Sequence, residues 1–346
     1  MKKVALVSAL LLTSCRTAPP AVFPGDDWTE AAPESQGMDS AKLREALDWL
    51  AAHTGANGTT ETVVIRHGVM VWKGPNIERK HSVWSCTKGL TSTAFGLLLE
   101  DGKCSLETPA KDILPALIPA YGDVRLRHFL TMTSGYDGQG GSYDKHEGSA
   151  DANALVPPLA PFFPPGAKFR YWDEAMMQFG SALTAVAGEP LPDYLKRRIF
   201  DPIGMKTWTW EKAGAVPNWT GGFSTTARDL ARFGLLFLRR GSWNGKQLVD
   251  PSWVERATSV QVPASMPFDP ISSRQEGPGV YGYNWWVNAW PGAPPRTFAA
   301  CGFNNNQCFV VPEWDLVFVR MGTDGNVDRK VWGSFFEKLA TAIGTS

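Results

Sequence analysis

Strand-forming runs near both ends of the chain, with helices and long loops between them, predict an α+β protein in which a helical domain interrupts a sheet domain. The 346 residues exceed the roughly 100–200 typical of one domain, which agrees with two lobes. The sheet domain is assigned to residues 28–105 and 215–346, and the helical domain to residues 106–214.

In chain order, Ser40–His53 has Leu43, Leu47 and Leu50 on one side of a 3.6-residue period, with Asp39 or Ser40 as its cap. Glu61–Arg66 and Val69–Lys73 are β-branched runs separated by His67-Gly68, a hairpin signal. A long helix follows over about Ser85–Glu100, stopped by Asp101-Gly102. Residues 106–214 read as helices and loops, including a Gly-rich stretch over 135–148 and a Pro-rich stretch over 156–166. Arg228–Arg240 is amphipathic. Strand signals return at Tyr281–Trp290, Thr297–Gly302, Cys308–Pro312 and Leu316–Met321, and Asp328–Ile343 closes the chain as a helix. The Trp pairs Trp208/Trp210 and Trp285/Trp286 read as packing rather than as a ligand platform.

Composition narrows the function. Hydrophobic residues make up 43% and charged residues 20%, an ordinary globular mix that excludes a disordered or fibrous chain. Lys+Arg and Asp+Glu number 34 each, so no basic field exists to track a phosphate backbone and no nucleic-acid partner is expected. At the N-terminus, Lys2 and Lys3 precede the apolar run Val4–Leu12, too short to span a bilayer. Residues 1–14 therefore read as an export signal, and Leu12-Thr13-Ser14-Cys15 resembles a bacterial lipobox. The resemblance implies cleavage before Cys15, acylation of its thiol, and a tether over residues 15–27. The expectation is an exported lipoprotein whose only membrane partner is the lipid on Cys15, facing the periplasm or cell exterior.

Cys86, Cys104, Cys301 and Cys308 remain, and four cysteines allow three full pairings that sequence does not choose between. No C-x-x-C and no His pair at ligand spacing is present, so neither a metal nor a cofactor is expected. His81 and His146 read as loop residues, His146 as a candidate to line a cleft.

The nucleophile elbow G-x-S-x-G, the P-loop and a helix-opening G-x-G-x-x-G are all absent. S-x-x-K occurs twice. Ser142-Tyr143-Asp144-Lys145 lies in a polar, Gly-rich stretch and reads as a chance match. Ser85-Cys86-Thr87-Lys88 opens a helix that continues through Leu90, Phe95, Leu97, Leu98 and Leu99. Three residues along a helix is nearly one turn, which sets Lys88 beside Ser85. The free N–H groups of a helix N-terminus favour a developing oxyanion, and a desolvated lysine there could take the serine proton.

With these residues the chain resembles the serine β-lactamase and penicillin-binding-protein superfamily, in its class C-like branch with family VIII carboxylesterases and 6-aminohexanoate-dimer hydrolases. Other segments in family order carry the resemblance over nearly the whole chain. They include Leu130-Thr131-Met132-Thr133-Ser134-Gly135, Pro165-Gly166 before Phe169 and Tyr171, Phe200-Asp201-Pro202-Ile203-Gly204-Met205, Gly221-Gly222-Phe223-Ser224-Thr225 and Tyr281-Gly282-Tyr283. It implies a β-lactamase/DD-peptidase-like fold, an antiparallel sheet flanked by helices with an inserted helical domain. It implies Ser85 as acylated nucleophile, Lys88 as its partner and Tyr171 as general base and acid. Ala300-Cys301-Gly302 aligns with the third motif, and the N–H groups of Ser85 and Phe303 would form the oxyanion hole.

Two positions depart from the pattern. Asp173 stands where the second motif usually has Asn, and Ala300 where the third usually has a cation. Both changes make the pocket more negative, which disfavours the carboxylate of β-lactams and D-Ala-D-Ala peptides. Asp173, Ala300, Cys301 and Gly302 are thus candidate substrate-binding residues. A milder reading has Asp173 pair with Lys88 or an arginine and tune it. Cys301 would form a small wall of the pocket, and a disulfide from Cys86 to the third-motif strand stays open.

The function expected is a serine hydrolase of small ester or amide substrates. A β-lactamase or D,D-carboxypeptidase is the alternative within the fold. A non-catalytic ligand-binding lipoprotein is the alternative from another class.

Overall fold

The structure is a computed structural model that describes residues 21–115, 122–135, 163–213, 216–268, 279–324, 328 and 330–344. The export signal, Cys15, Ser142–Lys145 and His146 lie outside the described residues.

An eight-stranded antiparallel sheet forms the centre. Its strands are β1 (Glu61–Arg66), β2 (Val69–Lys73), β3 (Val262–Pro263), β4 (Gly279–Tyr281), β5 (Trp286–Val287), β6 (Phe298–Gly302), β7 (Asn306–Val311) and β8 (Leu316–Met321). Their spatial order is β3-β4-β5-β6-β7-β8-β1-β2. The main helices are α1 (Ser40–His53), α2 (Thr87–Glu100), α3 (Asp173–Ala187), α4 (Ala227–Leu238) and α5 (Lys330–Ala342).

Strands β1, β7 and β8 are buried at every position, so helices must cover both faces of the sheet. Neighbouring strand residues point to opposite faces. On β7, Cys308 Sγ lies against the Leu230 carbonyl of α4, while the Phe309 ring meets Trp332 and Phe336 of α5 at 5.2 and 5.0 Å. The sheet is therefore sandwiched between α4 and α5, and α1 packs on α5.

Helix α2 is buried from Thr87 to Leu98, packed against α3 and β6. A helix buried all round has polar residues to satisfy, and Thr93 Oγ1 donates back to the Gly89 carbonyl at 2.8 Å. Gly96 admits the Trp253 indole so closely that a Cβ there would overlap it.

The hairpin turn holds His67 at φ 52° and Gly68 at φ 86°, the left-handed pair that a two-residue turn needs. Three sequence expectations change. Tyr281–Trp290 is not one strand, because the chain bends between β4 and β5 with Asn284 at φ 60°. His81 is not a loop residue: it pairs with Thr225 in a small sheet, and its Nε2 lies 2.6 Å from buried Glu61. That sheet also takes in Trp208–Trp210, inside the stretch read as helix and loop, because its alternating W-T-W pattern suits a strand.

The tether is also shorter than expected. Phe23 packs on Trp243 at 5.1 Å, Arg232 donates to the carbonyls of Gly25 and Asp26, and Lys206 pairs with Asp26 at 2.9 Å. Residues 23–27 belong to the body.

One stability effect arises here. His128 is buried, and its Nδ1 accepts from the Arg125 backbone N–H at 3.1 Å, a role open only to the neutral ring. Burial, then the nearby Arg127, push its pKa down from 6.5 to about 4. Its stabilising contribution is complete above pH 6.5 and is lost as the pH falls toward 4, because the unfolded state then binds the extra proton. Denaturant titrations at pH 7 and pH 4.5 are expected to show a loss about 1–3 kcal/mol larger in the native protein than in His128→Asn.

Candidate active site

The chain enters the site through a strained turn. Trp84 sits at φ 50°, a left-handed conformation that a bulky residue rarely adopts. Ser82 Oγ accepts from its N–H at 3.0 Å and Thr87 Oγ1 donates to its carbonyl at 2.6 Å, so both sides of the strained residue are tied. Ser85 follows, partly exposed, in the 3₁₀ turn Trp84–Cys86 rather than in α2 itself. The helix begins at Thr87, one residue before Lys88.

Lys88 is 1% exposed, and its ammonium is surrounded by three acceptors. Nζ lies 2.8 Å from Ser85 Oγ, 3.0 Å from the Thr220 carbonyl and 2.8 Å from Asp173 Oδ1. Nζ thus donates to Ser85 and Thr220, and the Asp173 carboxylate supplies the opposite charge of an ion pair. A buried charge requires a partner of this kind.

Each acceptor is itself held. Asn218 Oδ1 accepts from the backbone N–H of Thr220 and Gly221 and from Thr220 Oγ1, which aims the Thr220 carbonyl at Nζ. Asp173 opens α3, where the positive end of the helix dipole favours its carboxylate. Its carboxylate lies 2.8 Å from the Lys88 ammonium, the pairing that the milder reading expected.

Tyr171 precedes Asp173 by two residues, and Lys88 Nζ stands 4.8 Å from its ring centroid. The ring stacks on Trp286 at 5.6 Å with an 18° tilt and meets Tyr281 edge-on at 6.2 Å. Burial, reinforced by Tyr171, holds the Tyr281 phenol protonated well above its ordinary range. Tyr281 is thus a neutral wall.

On the other side, β6 runs past the Trp84–Cys86 turn. A Cβ on Gly302 would overlap the Val83 carbonyl oxygen and stand 3.2 Å from the Ser85 nitrogen, so only glycine fits there. Phe303 begins the next turn, in which Asn304 and Asn305 are both left-handed at φ 59° and 55°. Asn306 Nδ2 donates to the Phe303 carbonyl at 2.7 Å, and buried Arg320 donates to the Asn304 and Asn305 carbonyls. Ala300 and Cys301 are buried on β6.

The four cysteines are free thiols, which resolves the pairing left open. Cys86 Sγ points away from solvent and donates to the carbonyls of Ala300 and Asn306. Burial raises its pKa well above the ordinary thiol range, so it is unreactive beside Ser85.

The structure thus brings Ser85, Lys88, Tyr171, Asp173, Gly302 and Phe303 together at one site. The sequence reading missed Thr220, Asn218, Asn306 and Arg320. Thr220 was within reach of it, because it directly precedes the Gly221-Gly222 pair, whereas the three braces act through folded contacts that no local pattern marks.

The fold is shared by solved β-lactamases and penicillin-binding proteins. A β-lactamase/D-alanine carboxypeptidase from Yersinia pestis is 20% identical, with a TM-score of 0.68 over 88% of this chain and 99% of that one. EstCE1, described as a hydrolase with promiscuous acyltransferase activity, is 18% identical, with a TM-score of 0.69 over the same shares. A 6-aminohexanoate-dimer hydrolase from Paenarthrobacter ureafaciens is 24% identical, covering 90% of this chain and 93% of its own. The Beta-lactamase family model matches residues 54–332, and the chain belongs to that family of hydrolases.

Proposed function

We propose that this protein is a serine hydrolase that forms an acyl-enzyme on Ser85 and cleaves ester or amide bonds of small molecules. The observation that carries the reading is the 2.8 Å contact between Ser85 Oγ and a Lys88 Nζ buried among three acceptors. Attack forms the bond from Oγ to the carbonyl carbon, and the hydroxyl proton passes to the Lys88–Tyr171 pair. The N–H groups of Ser85 and Phe303 hold the oxyanion. The intermediate collapses as the bond to the leaving group breaks and the proton is returned to it. Water then repeats the sequence and frees Ser85. Asp173 and the Thr220 carbonyl keep Nζ in place in both protonation states.

Substrates are expected to be neutral or amine-bearing. With Asp173 matched by Lys88, the argument now rests on Ala300, which supplies no cation for a substrate carboxylate. The likeness to EstCE1 and to the 6-aminohexanoate-dimer hydrolase supports hydrolysis of small molecules and leaves the charge preference to Ala300. The test compares kcat/KM of the full chain for a short-chain p-nitrophenyl ester and a chromogenic cephalosporin, with Ser85→Ala as blank. Preference for the ester supports the reading, and preference for the cephalosporin moves the protein to the β-lactamase or D,D-carboxypeptidase side. Binding that survives in Ser85→Ala, without turnover in the native chain, favours a ligand-binding lipoprotein. We also propose export and lipid anchoring through Cys15, which radiolabelled palmitate incorporation lost in Cys15→Ala would support.

Gly302→Ala gives a sharp check on the oxyanion geometry. The added methyl must push β6 off the Val83–Ser85 turn. Ester kcat is expected to fall about 100-fold, as for a misplacement near 1 Å. Stability is expected to fall by about 1–3 kcal/mol in denaturant titration.

A further inference from the structure

We propose that Trp84 and Phe303 form an aromatic wall that receives the acyl side of the substrate, so that favoured substrates carry an extended alkyl or aryl acyl group. The assignment rests on the serine-hydrolase reading of the same site and adds the chemical class of acyl group to it.

Phe303 is 58% exposed, the most exposed large apolar side chain among the described residues. The other two, Val22 at 39% and Val260 at 42%, are smaller side chains. A single exposed ring needs no explanation by itself, so its meaning comes from the ring it touches and its place beside the site. Its recorded ring contact is with Trp84, edge-on at 5.4 Å between centroids, and Trp84 is itself only partly buried.

Trp84 adds an independent observation. Its φ of 50° is a conformation that glycine adopts freely and a bulky side chain does not. The chain nevertheless places an indole there and ties the strained backbone from both sides with Ser82 and Thr87. Strain kept at such a position is paid for by a role of the side chain. The turn itself would be served by glycine.

Position decides what the wall meets. Trp84 immediately precedes the Ser85 N–H, and the Phe303 side chain is carried by the residue of the second oxyanion donor. A carbonyl carbon located between these donors has two substituents besides its oxygen and the attacking Oγ. The leaving group must face the Lys88–Tyr171 pair, which returns its proton. The acyl substituent is then the one left to lie against the two rings. Neither ring carries a charge, so the wall rewards apolar surface. Full burial of each added methylene is worth up to about fourfold in kcat/KM.

The test measures kcat/KM for p-nitrophenyl acetate, butyrate, hexanoate and phenylacetate in the native chain, Phe303→Ala and Trp84→Gly. Reading the ratio to acetate cancels any general loss of catalysis. The native ratio for hexanoate is expected to reach about 10 or more, and each variant is expected to lower it at least fivefold. In a second series, hexanoate esters of small and large alcohols should keep the same relative rates in all three proteins. A ratio to acetate that is unchanged in both variants would overturn the acyl wall while leaving the hydrolase reading intact. Selectivity lost in the alcohol series instead would assign the rings to the leaving group and equally overturn it. No Ser85-dependent turnover of any ester would remove the hydrolase reading and the wall together.

Discussion

Replacing Lys88 by methionine is expected to cost the fold about 3–5 kcal/mol and to abolish turnover. Methionine fills a similar volume but leaves the Asp173 carboxylate, 5% exposed, without its counter-charge. Breaking a buried pair by removing one partner carries that penalty because the remaining charge stays desolvated. The double variant Lys88→Met/Asp173→Asn removes the orphaned charge, so most of the stability should return while activity does not. Denaturant titration of the two single variants and the double variant checks this. A coupling of more than about 1 kcal/mol is expected between residues in direct contact. Independent, additive losses would mean that the ion pair does not organise the site.

Ser85→Ala is expected to separate chemistry from folding. The hydroxyl gives Nζ one of its three acceptors, and Thr220 and Asp173 remain. The loss of one hydrogen bond is worth about 1 kcal/mol, so the melting temperature should move by only a few degrees. Turnover, in contrast, should fall by about 10⁴-fold or more, as when a nucleophile that acts as part of a unit is removed. Kinetics and thermal melts on the same preparation read both. A variant that keeps a tenth of the activity would exclude Ser85 as the nucleophile.

Most of the fold was legible because its elements bury continuous or periodic apolar faces. Leu316–Met321 and Ser40–His53 match their sequence-predicted bounds, the first through the apolar run 316–319 and the second through Leu43, Leu47 and Leu50 behind the Asp39 cap. Periodicity failed where backbone geometry overrides it. The bend at Asn284 and the 3₁₀ turn around Ser85 are held by contacts with distant segments, such as the Asn284 N–H donating to the Leu130 carbonyl.

The site divides along the same line. Ser85, Lys88 and Tyr171 stand in short motifs that a sequence exposes. The partner of Asp173 was not fixed by any motif, because an aspartate in that place serves equally to repel a substrate carboxylate or to hold a lysine. Only the fold, which sets the first residue of α3 against the first turn of α2, decides for Lys88. The braces at Asn218, Asn306 and Arg320 lay beyond reach for the same reason.

The central claim is a covalent intermediate on Ser85. Its most direct test is mass spectrometry of the protein quenched by acid during turnover of a slowly hydrolysed ester, followed by peptide mapping. The account predicts one acyl group per chain, on the peptide that holds Ser85, absent from Ser85→Ala. An acyl group on another residue, or turnover that persists in Ser85→Ala, would contradict it.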